Sequence, residues 1–155
     1  MIKKILLAAC IAAAGTGICV AQPENSQIFT NWGANVAGAQ LSVVLTNNII
    51  SCNSTTTLLA AVKNVSTNDI TLADDFTVSL VNAAGKEIII KRPPLLHLER
   101  IIKNVKSLEI YSWATPIKIP KGIDSGIYSL KATRKFSTKG KFYQLTSNFP
   151  KIQIK

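Results

Sequence analysis

The side chains able to do chemistry are few. His97 is the sole histidine of the 155-residue chain, so a two-histidine metal site is excluded and any Ser-His-Asp scheme rests on one imidazole. Its setting, Leu95-Leu96-His97-Leu98-Glu99, reads as a packed or surface-facing side chain. Cys52, in Ile49-Ile50-Ser51-Cys52-Asn53, has no neighbouring base or cation to lower its pKa, and reads as a structural thiol. The carboxylates are Glu24, Asp69, Asp74, Asp75, Glu87, Glu99, Glu109 and Asp124. Only Asp74 and Asp75 are adjacent, and adjacent residues point apart rather than flanking one bond. With Asp69 they offer oxygen ligands to calcium, but without the loop glycine or further acids of a calcium loop, so a solvated turn is expected. There is no Gly-x-Ser-x-Gly elbow, no Cys-x-x-Cys and no phosphate-binding glycine loop. A non-catalytic chain with neither metal nor cofactor is expected. The alternative is a small hydrolase using His97, Cys52 or a Ser/Lys pair.

Charge is the next informative feature. Gln22 to Gly85 holds one lysine against four acids (−3), whereas Lys86 to Lys155 holds fifteen Lys and Arg against four acids (+11). Lys91, Arg92, Arg100, Lys103, Lys106, Arg134, Lys135, Lys139 and Lys141 are the candidates for one basic face, with Lys86 and Lys131 beside them. Such a face suits an acidic protein, an anionic glycan or a lipid headgroup surface. Lys135-Phe136 and Lys141-Phe142-Tyr143 interleave cations with rings, as nucleic-acid stacking platforms do. Export and the burial of alternate rings count against that partner. The blander reading keeps lysines on the water side of strands as guards against edge pairing, as in Ile117-Lys118-Ile119.

The elements that must position these residues begin with a leader. Lys3 and Lys4 precede an apolar run from Ile5 to about Ala14, and Cys19-Val20-Ala21 leads to a polar switch at Gln22. That is the anatomy of a secretory signal peptide, residues 1–21. The expected location is therefore periplasmic or extracellular. Leu7-Ala8-Ala9-Cys10 resembles a lipobox, but only Ile5 to Ala9 would serve as its apolar core, so lipid anchoring is the lesser alternative. Cleavage would leave residues 22–155, one domain's worth, with Cys52 as its lone cysteine and no internal disulfide.

From Gln22 onward short alternating runs are separated by Asn, Ser, Thr, Gly and Pro. Leu41–Leu45, Thr57–Val62, Ile70–Leu72, Phe76–Leu80, Glu87–Ile90, Leu108–Trp113, Ile117–Ile119, Ile127–Thr133, Lys141–Leu145 and Ile152–Ile154 read as strands, with Ala83–Lys86 as a hairpin loop. Residues 22–40 form a lead-in and 41–155 one all-β domain. Leu98, Ile101, Ile102, Val105 and Leu108 fall at helical spacing. An irregular connection with one helical turn near Leu95 to Arg100 is expected there. Asn53-Ser54-Thr55 and Asn64-Val65-Ser66 match the glycosylation acceptor pattern and read as polar turns.

Asp124-Ser125-Gly126-Ile127-Tyr128-Ser129-Leu130 resembles the tyrosine corner of immunoglobulin-type sandwiches, with Leu130 in the slot often held by cysteine. Tyr128, Leu130 and Ala132 would then face inward and Ser129, Lys131 and Thr133 outward. Asn31 to Leu45, Ala60 to Leu72 and Thr146 to Ile154 are similar to the opening, second-strand and closing segments of Ig-like domains in secreted bacterial proteins. A weaker resemblance is to the bacterial intracellular proteinase-inhibitor sandwich family, against which the leader counts. The resemblance implies an antiparallel Ig-like β-sandwich without the inter-sheet disulfide, serving as a binding module, with a secreted protease inhibitor as the alternative.

Overall fold

Period-two alternation and β-branched residues turn into strands throughout. The computed structural model describes residues 28–90 and 103–155, and contains no helix among them. The strands are β1 (Ala39–Leu45), β2 (Ile49–Ile50), β3 (Thr55–Asn64), β4 (Ile70–Leu72), β5 (Thr77–Val81), β6 (Glu87–Ile90), β7 (Lys103–Val105), β8 (Ile110–Lys118), β9 (Gly126–Thr138), β10 (Lys141–Thr146) and β11 (Lys151–Ile154). Strands β1, β3 and β8 make a three-stranded antiparallel sheet, and the other eight make a second sheet.

The second sheet is organised by β9. Along one edge β9 pairs with β11 at residues 126–129 and with β10 at 133–138. The bonds Ser147 N to Ala132 O and Leu130 N to Pro150 O carry the ladder through the break between them. Its other edge takes β5 at 129–133 and β4 at 136–137. Beyond these lie β6, paired with β5, and β7, paired with β4. The two-residue β2 pairs parallel to β11.

Parity then builds the core. On β9 Tyr128, Leu130, Ala132 and Phe136 face inward and are buried, meeting Leu41, Val43, Leu58, Ala60, Val62 and Ile117 of the smaller sheet. The Tyr128 hydroxyl donates to the Asp124 carbonyl at 2.9 Å. The corner geometry is therefore present, with Leu130 fully buried two residues on.

The lead into β1 is part of the structure. Val36 and Ala39 exchange two backbone hydrogen bonds of 2.9 Å around Ala37 and Gly38, both at positive φ (46° and 83°), a two-residue turn of the kind that suits strand twist. Ser42 and Ala61 belong by parity to the outer side of the smaller sheet, yet both are fully buried. The Ser42 hydroxyl donates to the Asn31 carbonyl at 2.6 Å, which brings the lead against that side. Gly33 is needed there, because a Cβ would collide with the Thr146 carbonyl oxygen.

Three sequence expectations differ from the structure. Leu108–Trp113 and Ile117–Ile119, read as separate strands, are one strand from Ile110 to Lys118, with Pro116 inside it. Strand β9 continues five residues past Thr133. In the segment given helical spacing, Lys103–Val105 is a strand and Leu108 a turn residue 78% exposed; residues 91–102 lie outside the described ones.

Candidate binding end of the sandwich

Three turns meet at one end of the sandwich, and a buried asparagine joins two of them. Asn64, at the close of β3, is fully buried. Its Nδ2 donates to the carbonyls of Asn68 (2.8 Å), Val105 (3.1 Å) and Lys106 (3.0 Å). Its Oδ1 accepts from the Ser66 amide (3.0 Å) and hydroxyl (2.7 Å). The β3–β4 turn is thereby tied to the β7–β8 turn. Asp69 adds the third turn: its carboxylate accepts from the Ser107 amide at 3.2 Å, and its carbonyl from the Thr138 hydroxyl at 3.2 Å.

That end carries an unusual set of exposed side chains. Lys139 (φ 50°) and Gly140 (φ 73°) form the tip of the β9–β10 hairpin. Lys139 and Lys141 are exposed there, and Lys106 is exposed on the β7–β8 turn. Phe142 is 82% exposed beside Lys141, and Leu108 is 78% exposed. Leu108 also sits at φ 61°, a left-handed conformation costing a non-glycine residue roughly 1–2 kcal/mol. The Glu109 carboxylate is turned back onto its own turn, accepting from the Lys106 amide at 2.8 Å.

The remaining basic candidates go elsewhere. Arg134 was expected on a basic face, but β9 parity points it inward, where it is only 6% exposed. Its Nε donates to the Ala73 carbonyl at 3.0 Å and its guanidinium lies 4.4 Å from the Trp113 ring centre. Lys103, opposite inward-facing Leu72, places its Nζ 5.2 Å from the Tyr111 ring centre. Tyr111 and Trp113 stack at 5.5 Å, and Phe76 meets Trp113 edge-on at 5.2 Å. These two cations therefore rest on aromatic faces at the sandwich interior. Lys135 stays outside, paired with Asp75 at 3.1 Å, and Lys131 pairs with Glu87 at 3.0 Å. The Ser79 hydroxyl, foremost, and then the Lys131 ammonium hold the Glu87 carboxyl below its ordinary pKa. Lys86 is exposed on the β5–β6 hairpin, remote from the end bearing Lys106. Lys91, Arg92, Arg100 and His97 lie outside the described residues.

The chemistry-bearing residues do not converge. The Cys52 thiol donates to the Ile123 carbonyl at 3.2 Å. Asp75 is occupied by Lys135 and Asp69 by Ser107. Among the described residues no three His, Cys, Asp or Glu side chains come together to hold a metal. Of the interleaved rings, Phe136 is fully buried and stacks on Tyr143 at 5.4 Å, so Phe142 alone of the three is strongly exposed. Asn64 is buried, which removes one of the two acceptor patterns from the surface, while Asn53 is exposed in a turn at φ 60°. A cleft of about 230 Å³ between the lead and β1, lined by Ile28, Asn31, Val44, Asn48 and Asn148 among others, contains no carboxylate, thiol or imidazole.

The sequence matches no protein-family model, and no curated protein is similar to it. Solved structures do share its shape. The Northeast Structural Genomics Consortium target SoR45 superposes with a TM-score of 0.53 at 9% identity, covering 77% of this chain and 89% of that one. The C-terminal domain of wzt gives 0.50 at 13% identity, covering 86% and 80%. Spo0M, a sporulation control protein from Bacillus subtilis, gives 0.45 at 12% identity, covering 77% of this chain and 50% of that one. The first two likenesses, with the two-sheet topology, define the class: a β-sandwich-like all-β domain without helix or disulfide among its described residues.

Proposed function

We propose that this protein is an exported Ig-like interaction module, non-catalytic, which docks an acidic partner through the end bearing Lys106, Lys139 and Lys141. Two observations support the Ig-like part. Strands β1, β3 and β8 lie in one sheet, while β9 is flanked in the other by the β4/β5 and β10/β11 runs, with β2 added parallel to β11. The corner bond from Tyr128 stands where an Ig-like sandwich has it.

The docking reading is carried by one observation: Asp69 ties the β7–β8 turn, which bears Lys106 and the exposed Leu108, to the β9–β10 hairpin, which bears Lys139, Lys141 and the exposed Phe142. Apolar side chains displayed among cations combine a desolvating contact with electrostatic guidance. An acidic protein, an anionic glycan or an anionic envelope surface supplies the complementary charge. The test is retention on immobilised heparin and on vesicles containing phosphatidylglycerol, at low and high salt. The Lys139→Ala/Lys141→Ala double variant should elute earlier than wild type, and Phe142→Ser should weaken vesicle binding more than heparin binding. Retention indifferent to salt and to the double variant would refute the proposal.

A further inference from the structure

Two apolar side chains at the lysine-bearing end stand in water without a local reason. Leu108 is the third residue of the turn 106–109, which the Glu109 N to Lys106 O bond closes at 3.1 Å. Its φ of 61° is left-handed, and a positive φ at that place of a turn favours glycine or asparagine. The leucine there bears backbone strain and still leaves its side chain 78% exposed. Phe142 follows the Lys139-Gly140 tip of the β9–β10 hairpin by two residues and is 82% exposed. On β10 parity sends Tyr143 towards the core and sets Phe142, opposite Ser137, on the outer side of the larger sheet.

Each apolar tip stands beside cations. Lys106 opens the turn that bears Leu108, and Lys139 and Lys141 bracket the hairpin tip before Phe142. All three lysines are exposed, and none makes an ion pair among the described residues. The carboxylates nearest to them in these turns, Asp69 and Glu109, are held by the amides of Ser107 and Lys106. Asp69 also fastens the two turns to each other through the Thr138 hydroxyl.

We infer that the acidic partner of this end is a bilayer surface bearing anionic phospholipid. Leu108 and Phe142 enter the boundary between headgroups and acyl chains, while Lys106, Lys139 and Lys141 stay at the phosphates. The inference rests on the docking proposal above and narrows it to one partner. A polyanionic glycan would take the three lysines and leave both apolar side chains in water. A protein partner is usually met by a contiguous apolar patch, whereas here two single side chains stand on separate turns. A bilayer accepts such isolated tips, because the apolar medium closes around each one and anionic headgroups attract the lysines beside them.

The test uses vesicles of phosphatidylcholine, alone or mixed with phosphatidylglycerol, and immobilised heparin as a polyanion with no apolar phase. In Phe142→Trp, emission should shift to the blue and be quenched by brominated lipid on mixed vesicles, and much less on phosphatidylcholine alone. The wild type, whose only tryptophans are Trp32 and Trp113, gives the baseline. Quenching reports the depth of residue 142 itself, so lipid affinity of the leader does not contribute. Leu108→Asn suits the left-handed position and should unfold no earlier than the wild type on heating. Added to Phe142→Trp, it should raise the lipid concentration for half-quenching about tenfold, with heparin retention unchanged. Leu108→Gly, equally at home at this φ, serves as a second variant should the first fold poorly. Heparin retention without quenching at residue 142 overturns the inference and leaves the acidic-partner proposal standing. Failure on heparin and vesicles alike overturns both. Quenching equal on the two kinds of vesicle, or indifferent to Leu108→Asn and Leu108→Gly in folded protein, also overturns the inference.

Discussion

Replacing Asn64 by alanine should be among the most damaging single changes in this domain. The side chain has two N–H groups and three carbonyl acceptors around them, so one N–H is shared, while Oδ1 serves the Ser66 amide and hydroxyl. The site is fully buried. A buried polar group left without a partner costs roughly 1–3 kcal/mol. The bond to the Val105 carbonyl is wholly buried, whereas the others are partly buried and can recover some hydration. Counting one full loss and several partial ones gives about 3–4 kcal/mol, a large share of a typical domain's ~5–15 kcal/mol. Urea unfolding followed by circular dichroism should show a lower midpoint with an unchanged slope, because the surface exposed on unfolding is the same. Asn64→Asp keeps the shape but turns an oxygen towards three carbonyl oxygens, and should be at least as damaging at pH 7. A loss below about 1 kcal/mol for Asn64→Ala would refute the account of this residue as the tie between two turns.

Tyr128→Phe removes only the bond to the Asp124 carbonyl and should cost about 1 kcal/mol, lowering Tm by roughly 4 °C; an unchanged Tm would argue that the corner bond is idle. Arg134→Lys gives up the planar contact with Trp113 and the Nε bond to Ala73, and should destabilise by about 1–2 kcal/mol in denaturant titrations; a neutral outcome would place the guanidinium outside the packing. Glu87, held below the ordinary 4.5 by Ser79 and then Lys131, contributes stability that is complete above that value and fades as pH falls through the lowered folded one. In Ser79→Ala its titration midpoint, followed by NMR, should move up towards 4.5, and a stationary midpoint would assign the shift to another cause.

Strand content and the corner were legible because both follow from short-range rules. Alternation identified the inward set Tyr128, Leu130 and Ala132, and turn residues marked the β5–β6 hairpin, which Asn82 caps through the amides of Ala84 and Lys86. The misreadings share a cause: a residue's type was taken as a sign of its surroundings. The gap left between Leu108–Trp113 and Ile117–Ile119 holds Pro116, whose nitrogen faces away from the β3 ladder, so the strand runs through it. Arg134 and Lys103 looked like surface charge, but parity turned them inward, and aromatic rings on the opposite sheet received them. Continuing the β9 alternation past Thr133 would have put Arg134 in line with Leu130 and Ala132, which was the available signal. Asn64 looked like a turn residue; nothing local shows that two distant turns would converge on its amide. Lys106, Lys139 and Lys141 were named together as basic-face candidates from charge alone, but the tie between their turns depends on Asp69 reaching segments 38 and 69 residues away, which nothing local shows.

Strand β9 pairs with β4, β5, β10 and β11, yet it begins about four-fifths of the way along the chain. As the polypeptide is synthesised, the larger sheet has no spine until β9 emerges, and such long-range closure is slow. The strands that precede residue 126 should therefore stay loosely associated until β9 is added to them. A version truncated before residue 126 should yield neither half of the sandwich in isolation.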